Sequence, residues 1–405
     1  MSIFIVIALA IAIVLLLLRV KQPIGIAILA SGLFIWLCTD PTVKELTDAV
    51  KQMFAKPGNY DLVGALYLVV CLEIELRKSG ALAGMVQALY RMFASPKFTL
   101  AIMPAFLGLL PSIGGARFSA PIVEEASKGV EITAEQKAGI NFWFRHIFEF
   151  SSPLVPGMIL ACGIAGIKIG DLILHLGWLT IVAFIVGWIF LIRPLKVKSL
   201  KRVEEDANEV HKHNVDFILS LTPVIANVIL MVGFDFNAAI SMFIVVVAMI
   251  PILMGMNRAV SIKDIFIGAL DWKLFANVLS ILLFIQILDT TGLLAQIVSA
   301  FENSALPIPV IIAIISFLVG MLTGLSQGHV AIVMPIVAAL SMGDLTLAGI
   351  AMVFGVAGQM ITPTHVCLTI TVDYFKSDFF KTLAPVIWTQ LIVLVIFAAV
   401  TYLMY

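Results

Sequence analysis

Ten stretches of this chain are apolar for long enough to cross a lipid bilayer, and that feature removes most other folds from consideration. A spanning helix needs roughly 20 predominantly apolar residues, and such stretches run near 3–18, 23–38, 61–77, 137–165, 172–192, 215–233, 238–256, 273–290, 346–373 and 380–404. In lipid, backbone polar groups must be satisfied inside the protein, which leaves helices or closed barrels. Continuous apolar runs of this length are helical. The expected fold class is therefore an all-α polytopic membrane protein. The chain is 61% hydrophobic and 12% charged, with a mean hydropathy of +1.10. Its formal net charge of +0 provides no basic field for a phosphate backbone, so the expected partner is the bilayer and not nucleic acid. Cys38, Cys71, Cys162 and Cys367 lie in apolar runs without metal-ligand spacing and read as small core residues. No metal or cofactor is expected. Arg19 and Lys21 follow the first apolar run instead of preceding it, which marks a retained helix and not a signal peptide.

Two further apolar stretches, 99–128 and 308–340, are interrupted by small residues at Pro111-Ser112-Ile113-Gly114-Gly115 and Gly324-Leu325-Ser326-Gln327-Gly328. Arms of about 12 residues reach roughly 18 Å into a core of about 30 Å, so both are expected to be re-entrant hairpins. The positive-inside rule then places both termini outside an inner (cytoplasmic) membrane, since Lys and Arg concentrate in the loops this assigns to the cytoplasm. The charged stretch Arg193 to Asp216 reads as a solvated cytoplasmic linker. Glu73 and Glu75 read as interfacial partners of Arg77 and Lys78, and Glu124 and Glu125 as surface residues.

The chain also repeats itself. Leu76, Gly80, Leu82, Ala83, Val86 and Ala88 recur 212 residues later, from Leu288 to Ala300. Ser112, Gly114 and Pro121-Ile122-Val123 recur at an offset of 214, and Ala138-Gly139-Ile140, Phe144 and Pro153 at 210, with Glu149 opposite Gln359. Five crossings per half, an odd number, make the repeat inverted. The expected organisation is a first repeat over 1–192 (hairpin 99–128, broken helix 137–165), a linker over 193–214, and a second repeat over 215–405 (hairpin 308–340, broken helix 346–373). Inverted repeats with discontinuous helices are the construction of secondary transporters.

Both third blocks carry a proline break, Phe150-Ser151-Ser152-Pro153 and Met360-Ile361-Thr362-Pro363-Thr364. Freed backbone groups at membrane depth are tolerated where protein or a water-lined cavity satisfies them. Two hairpin tips and two breaks are therefore expected to converge on a binding site. Helix N-termini there favour an anion, and carbonyls at C-terminal ends favour a cation. The substrate-binding candidates are Ser112, Gly114, Gly115, Arg117, Asn141, Arg145, Ser151, Ser152, Ser326, Gln327, Gly328, Gln359, Thr362 and Thr364. Asn141, Arg145 and Glu149 recur every four residues along one expected helix face. Ionisable groups at this depth are functional by default, and two arginines point to an anionic substrate, most simply a carboxylate. Glu149, with His146, His329 and His365, is the ion-coupling candidate, because desolvation and the Arg145 charge pull its protonation in opposite directions. Gly324-Leu325-Ser326-Gln327-Gly328 fits the G-x-S-x-G elbow of hydrolases but lacks the strand that motif needs, so a hydrolase is the remote alternative and no enzyme is expected.

At these residues the chain resembles the ion transporter superfamily, which includes dicarboxylate/sodium symporters, gluconate and citrate permeases and sodium/proton antiporters. The segments Pro111-Ser112-Ile113-Gly114-Gly115-Ala116-Arg117 and Gly358-Gln359-Met360-Ile361-Thr362-Pro363-Thr364-His365 look most like an uncharacterised domain-of-unknown-function branch related to the gluconate permeases. The dicarboxylate symporters carry Ser-Asn-Thr at each tip. Here only the serines, Ser112 and Ser326, match. The resemblance implies alternating access of the elevator type, a homodimer, a small carboxylate substrate and H+ or Na+ as coupling ion, with a cation/proton antiporter as the alternative.

Overall fold

The computed structural model describes residues 3–20, 22–39, 41–92, 95–109, 116–197, 207–363 and 365–404, and these are almost wholly helical. Apolar helices α1 (Ile3–Arg19) and α2 (Ile24–Thr39) lead into a short amphipathic α3 (Val43–Ala55). Thr42 caps α3 by accepting from the Glu45 N–H. Helix α4 (Pro57–Lys78) opens on a proline, whose missing donor costs nothing at that position. Gly80, in the left-handed region at φ 78°, then turns the chain into α5 (Ala81–Met92). The first expected hairpin consists of α6 (Pro96–Leu109) and α7 (Ala116–Ala126). Its tip, with Ser112, Gly114 and Gly115, lies outside the described residues.

Gly129 turns the chain toward α8 (Ala134–Arg145), which begins with a reciprocal capping box between Thr133 and Gln136. Glu135 in this exposed first turn is held below its ordinary pKa by its own backbone N–H, by Thr133 and by the Asp378 N–H. After a break come α9 (Pro156–Ala165) and α10 (Ile169–Leu176), which meet at 114°. Helix α11 (Trp178–Gly187) follows and finishes in a π turn at Ile192. The second part of the chain contains α12 (Ala207–Val228), α13 (Ala238–Gly255), α14 (Ile262–Phe266), α15 (Trp272–Thr290) and α16 (Leu293–Glu302). It closes with the hairpin α17 (Ile308–Thr323) and α18 (Ser326–Leu340), then α19 (Leu345–Met360), α20 (Val366–Phe375) and α21 (Phe379–Met404).

Among the described residues, four segments, 211–233, 238–255, 272–290 and 379–404, are long and apolar enough to cross a membrane by themselves. The protein is thus an all-α, membrane-embedded chain. The arms of the second hairpin are longer than expected, at 16 and 15 residues. At 1.5 Å per residue they reach about 24 Å, still short of a full crossing of about 30 Å.

Three expectations fail for identifiable reasons. The linker at 193–214 is not loop throughout: α12 begins at Ala207, and Lys196 and Val197 pair antiparallel with Val130 and Glu131. Asp216, taken as solvated, is 2% exposed and ion-paired with Arg258. Gly84 on α5 makes room for that carboxylate, since a Cβ there would collide with it. Glu75 is fully buried with both carboxyl oxygens unpartnered, because Arg77 pairs with Glu73 at 2.9 Å and Lys78 with Asp264 at 3.0 Å. Glu124 and Glu125 do lie at the surface, beside Lys137 and Lys128.

Packing falls into two sets. Helix α2 lies along α15, α4 along α13 and α5 along α12, while α6 packs on α8 and α17 on α19. The α17–α19 contact is a backbone approach through glycine. A Cβ on Gly320 would strike the Gly355 carbonyl, and one on Gly358 the Phe317 carbonyl. Membrane helices associate through such small residues because burying apolar side chains gains nothing in lipid. Gly358→Val is expected to lower the unfolding temperature in detergent by an amount consistent with about 1–3 kcal/mol or more of overpacking. Gly255→Ala, where nothing lies within 4 Å of the new methyl, should leave it unchanged.

Candidate functional site

The first break opens earlier than its serines and proline suggest. Helix α8 stops at Arg145, and His146 (φ −105°, ψ 1°) leaves the helical register. One 3-10 turn, Ile147–Phe150, then carries the chain to Ser151. Glu149 therefore sits on that turn and not on the α-helical face shared by Asn141 and Arg145. The second break matches expectation, with α19 ending at Met360 and α20 starting at Val366. Both broken helices are anchored at their starts: Thr133 caps α8, and Asp344 caps α19 by accepting from the Thr346 and Leu347 N–H groups.

Each break is covered by a hairpin. The end of α6 sits on the first, where Arg145 Nη1 donates to the Leu107 carbonyl at 3.5 Å and Ser152 Oγ to the Leu109 carbonyl at 3.4 Å. Gly108 has no Cβ to obstruct the Arg145 carbonyl. The start of α18 reaches the same region from the other hairpin. A Cβ on Gly157 would lie 2.7 Å from the Ser326 Cβ, so the N-termini of α9 and α18 abut. In pairwise terms α18 packs on α9 and α7 on α20: each hairpin's second arm rests on a broken helix from the other part of the chain. Abutting N-termini bring together two positive dipole ends.

Polar atoms around the breaks are deeply buried. Asn141 is fully buried and donates to Thr371 Oγ1 at 3.2 Å, while its Oδ1 has no partner. Gln359 Oε1 and Glu149 Oε2 are likewise shut off from solvent without partners. Arg145 and Thr362 are buried and engaged. Ser326 and Gln327 are partly exposed, and Gly328 packs closely against Thr323. Two sequence candidates turn elsewhere. Ser151 hydrogen-bonds Thr180 on α11 at 2.7 Å, and His329 lays its ring across Gly355 with both nitrogens unpartnered. Thr364 lies outside the described residues, and Arg117 is in the first turn of α7.

The two breaks also meet each other through polar side chains. His146 Nε2 and His365 Nε2 are 3.1 Å apart, and both rings are buried. Their Nδ1 atoms face the Phe142 and Gln359 carbonyls at 2.7 and 3.1 Å. Cys367 Sγ joins them, with donor atoms of all three residues within 4.8 Å of one another. Cys367 was expected to be a plain core residue, and its position two residues after His365 was the signal missed. A cavity of about 10 Å³, barely room for one water, lies beside His146 and Gln390. Ser326 follows helix α17 and a left-handed Gly324, not a strand, so the elbow motif has no elbow.

The family described as "Protein of unknown function (DUF401)" matches residues 2–405. No curated protein matches the chain.

Proposed function

The chain belongs to the DUF401 family of proteins of unknown function, and for this member we propose secondary active transport of a small organic anion, most simply a carboxylate. The observation that carries this reading is the crossing of hairpins and breaks: α18 on α9, α7 on α20, with two helix N-termini abutting at Gly157 and Ser326 and Arg145 buried at the start of the first break. Such a centre offers positive dipole ends and a guanidinium to an anion at membrane depth. It also supports a likeness to the ion transporter superfamily.

Backbone geometry also supports an internal repeat. Left-handed residues occur at Gly80 and Gly292, at Gly129 and Gly343, and at Gly166 and Lys376, pairs 212, 214 and 210 residues apart. These are the same offsets, in the same order, as the three sequence blocks. On this reading there are ten crossings, two re-entrant hairpins and both termini outside an inner membrane. The set α2, α4, α5, α12, α13 and α15 is a scaffold, apt for a homodimer interface, and the hairpins with the broken helices form the part that moves, elevator-fashion.

A protein that binds carboxylates must be stabilised by them. Purified protein at about 100 times Kd of its substrate gains about 2.7 kcal/mol, which a thermal-shift screen of small carboxylates detects. No stabilisation by any carboxylate, with or without Na+ and across pH, would overturn the anion reading. A second reading, a cation/proton antiporter, draws on the unpartnered acceptors Asn141 Oδ1, Gln359 Oε1 and Glu149 Oε2. It predicts stabilisation by Na+ alone. Gln327→Cys in a cysteine-free background should be labelled by small polar thiol reagents, since hairpin tips that line a cavity are wet. Complete protection, while loop cysteines react, would contradict a tip site.

A further inference from the structure

We propose that His146 and His365 hold a single proton between their facing Nε2 atoms, a proton site made by one residue from each broken helix. It deepens the transport reading by naming the coupling ion as H+ and rests on that reading only for its role, not for its existence.

A backbone carbonyl can only accept. His146 Nδ1, at 2.7 Å from the Phe142 oxygen, and His365 Nδ1, at 3.1 Å from the Gln359 oxygen, must therefore both carry hydrogen. A neutral imidazole has one N–H, so in the neutral pair both Nε2 atoms are bare. Their lone pairs would then face each other across 3.1 Å, which is repulsive. One added proton converts that contact into an Nε2–H···Nε2 hydrogen bond at an ordinary length, leaving one imidazole and one imidazolium. A second would set two N–H groups head to head. The geometry thus accommodates one proton per pair.

The surroundings are consistent with one positive charge. The ring of Phe142 lies 4.8 and 5.1 Å from the two imidazoles, within the about 6 Å of a cation–π contact. Among described residues, the charged group that acts on both imidazoles is Arg145 from α8; Cys367 from α20 lies beside them, and Glu149 from the 3-10 turn acts on Cys367 and Arg145. The cavity faces of α11, α19 and α21 beside His146 supply none. With Glu149 offsetting Arg145, a proton adds one charge to this buried volume. A divalent metal ion held by the same residues would have to expel the Cys367 proton to keep the added charge at one, whereas a single proton needs no third ligand, which makes the proton the simpler occupant.

The test needs neither substrate nor a gradient, so it stands apart from the transport reading. Infrared difference spectra of the purified full-length protein, acidic minus alkaline, carry imidazolium bands from all six histidines; the part missing from the His146→Gln/His365→Gln double variant, which is the pair's own signal, should be equivalent to one proton per chain. Either His146→Gln or His365→Gln alone should abolish it, with no further loss in the double variant. Half the signal lost in each single variant would mean independent histidines. A carboxylic-acid C=O band that is lost in Glu149→Gln, with the imidazolium signal unchanged in both histidine variants, would place the proton on that carboxyl. Stoichiometric Zn2+ binding that protects Cys367 from alkylation would make this a metal site. Each of those results overturns the proposal. Should the histidine variants not fold, solid-state NMR of the wild-type protein with 15N-labelled histidine decides: both Nδ1 atoms must remain protonated at alkaline pH, and a bare Nδ1 on either ring refutes the pairing.

Discussion

Removing Arg258 is expected to cost more than removing Asp216, although the two are partners in one ion pair. The Asp216 side chain is 2% exposed and Arg258 17%, so the two orphans left behind differ. Arg258→Met strands a buried carboxylate against α5 at Gly84, and breaking a buried pair in this way costs about 3–5 kcal/mol. Asp216→Asn leaves a guanidinium that still reaches water, and a neutral amide of nearly the same shape. The double variant, Asp216→Asn with Arg258→Met, should recover most of the loss, because no charge is left unpaired. Unfolding temperature and folded yield in detergent report all three. Equal losses in the two single variants would show that the pair is fully hydrated and that α12 is not seated on α5 as described.

That pair also shows where sequence reasoning stops. The helical segments were legible because lipid demands long apolar stretches, and every expected apolar stretch has a helical counterpart within a few residues. Charges near span ends are a different matter. Asp216 looks like the last residue of a polar linker, and nothing local reveals that Arg258 and Gly84 close over it. The same holds for Glu75, whose neighbours Arg77 and Lys78 each choose another partner. At the breaks, proline and serine announced the interruption, but the unwinding begins at His146, five residues before the first serine. What set that point is tertiary: His146 meets His365, and Arg145 reaches the Leu107 carbonyl. Contacts across some 220 residues leave no periodicity to read. The left-handed positions at matched offsets were half visible, since Gly80 and Gly292 align, whereas Gly166 is matched by Lys376 and no composition argument finds it.

Arg145→Gln is expected to remove most anion binding, and the comparison with Glu149→Gln separates binding from coupling. A charge-assisted hydrogen bond in such a site contributes about 1.5–3 kcal/mol, so loss of the guanidinium should weaken carboxylate affinity by roughly 10- to 100-fold. Arg145→Lys should recover part of it, having the charge without the planar fork. Glu149→Gln removes the negative charge that competes with an anion for Arg145. Substrate binding and counterflow exchange should therefore survive or strengthen. Accumulation driven by a proton gradient should fall, because without Glu149 the guanidinium and a protonated imidazole pair are two unbalanced positive charges in one buried volume. Reconstitution in liposomes gives both readouts from one preparation. If Arg145→Gln binds carboxylates as the wild type does, the anion does not sit at this break. If Glu149→Gln accumulates substrate undiminished on a proton gradient alone, the carboxylate has no part in coupling.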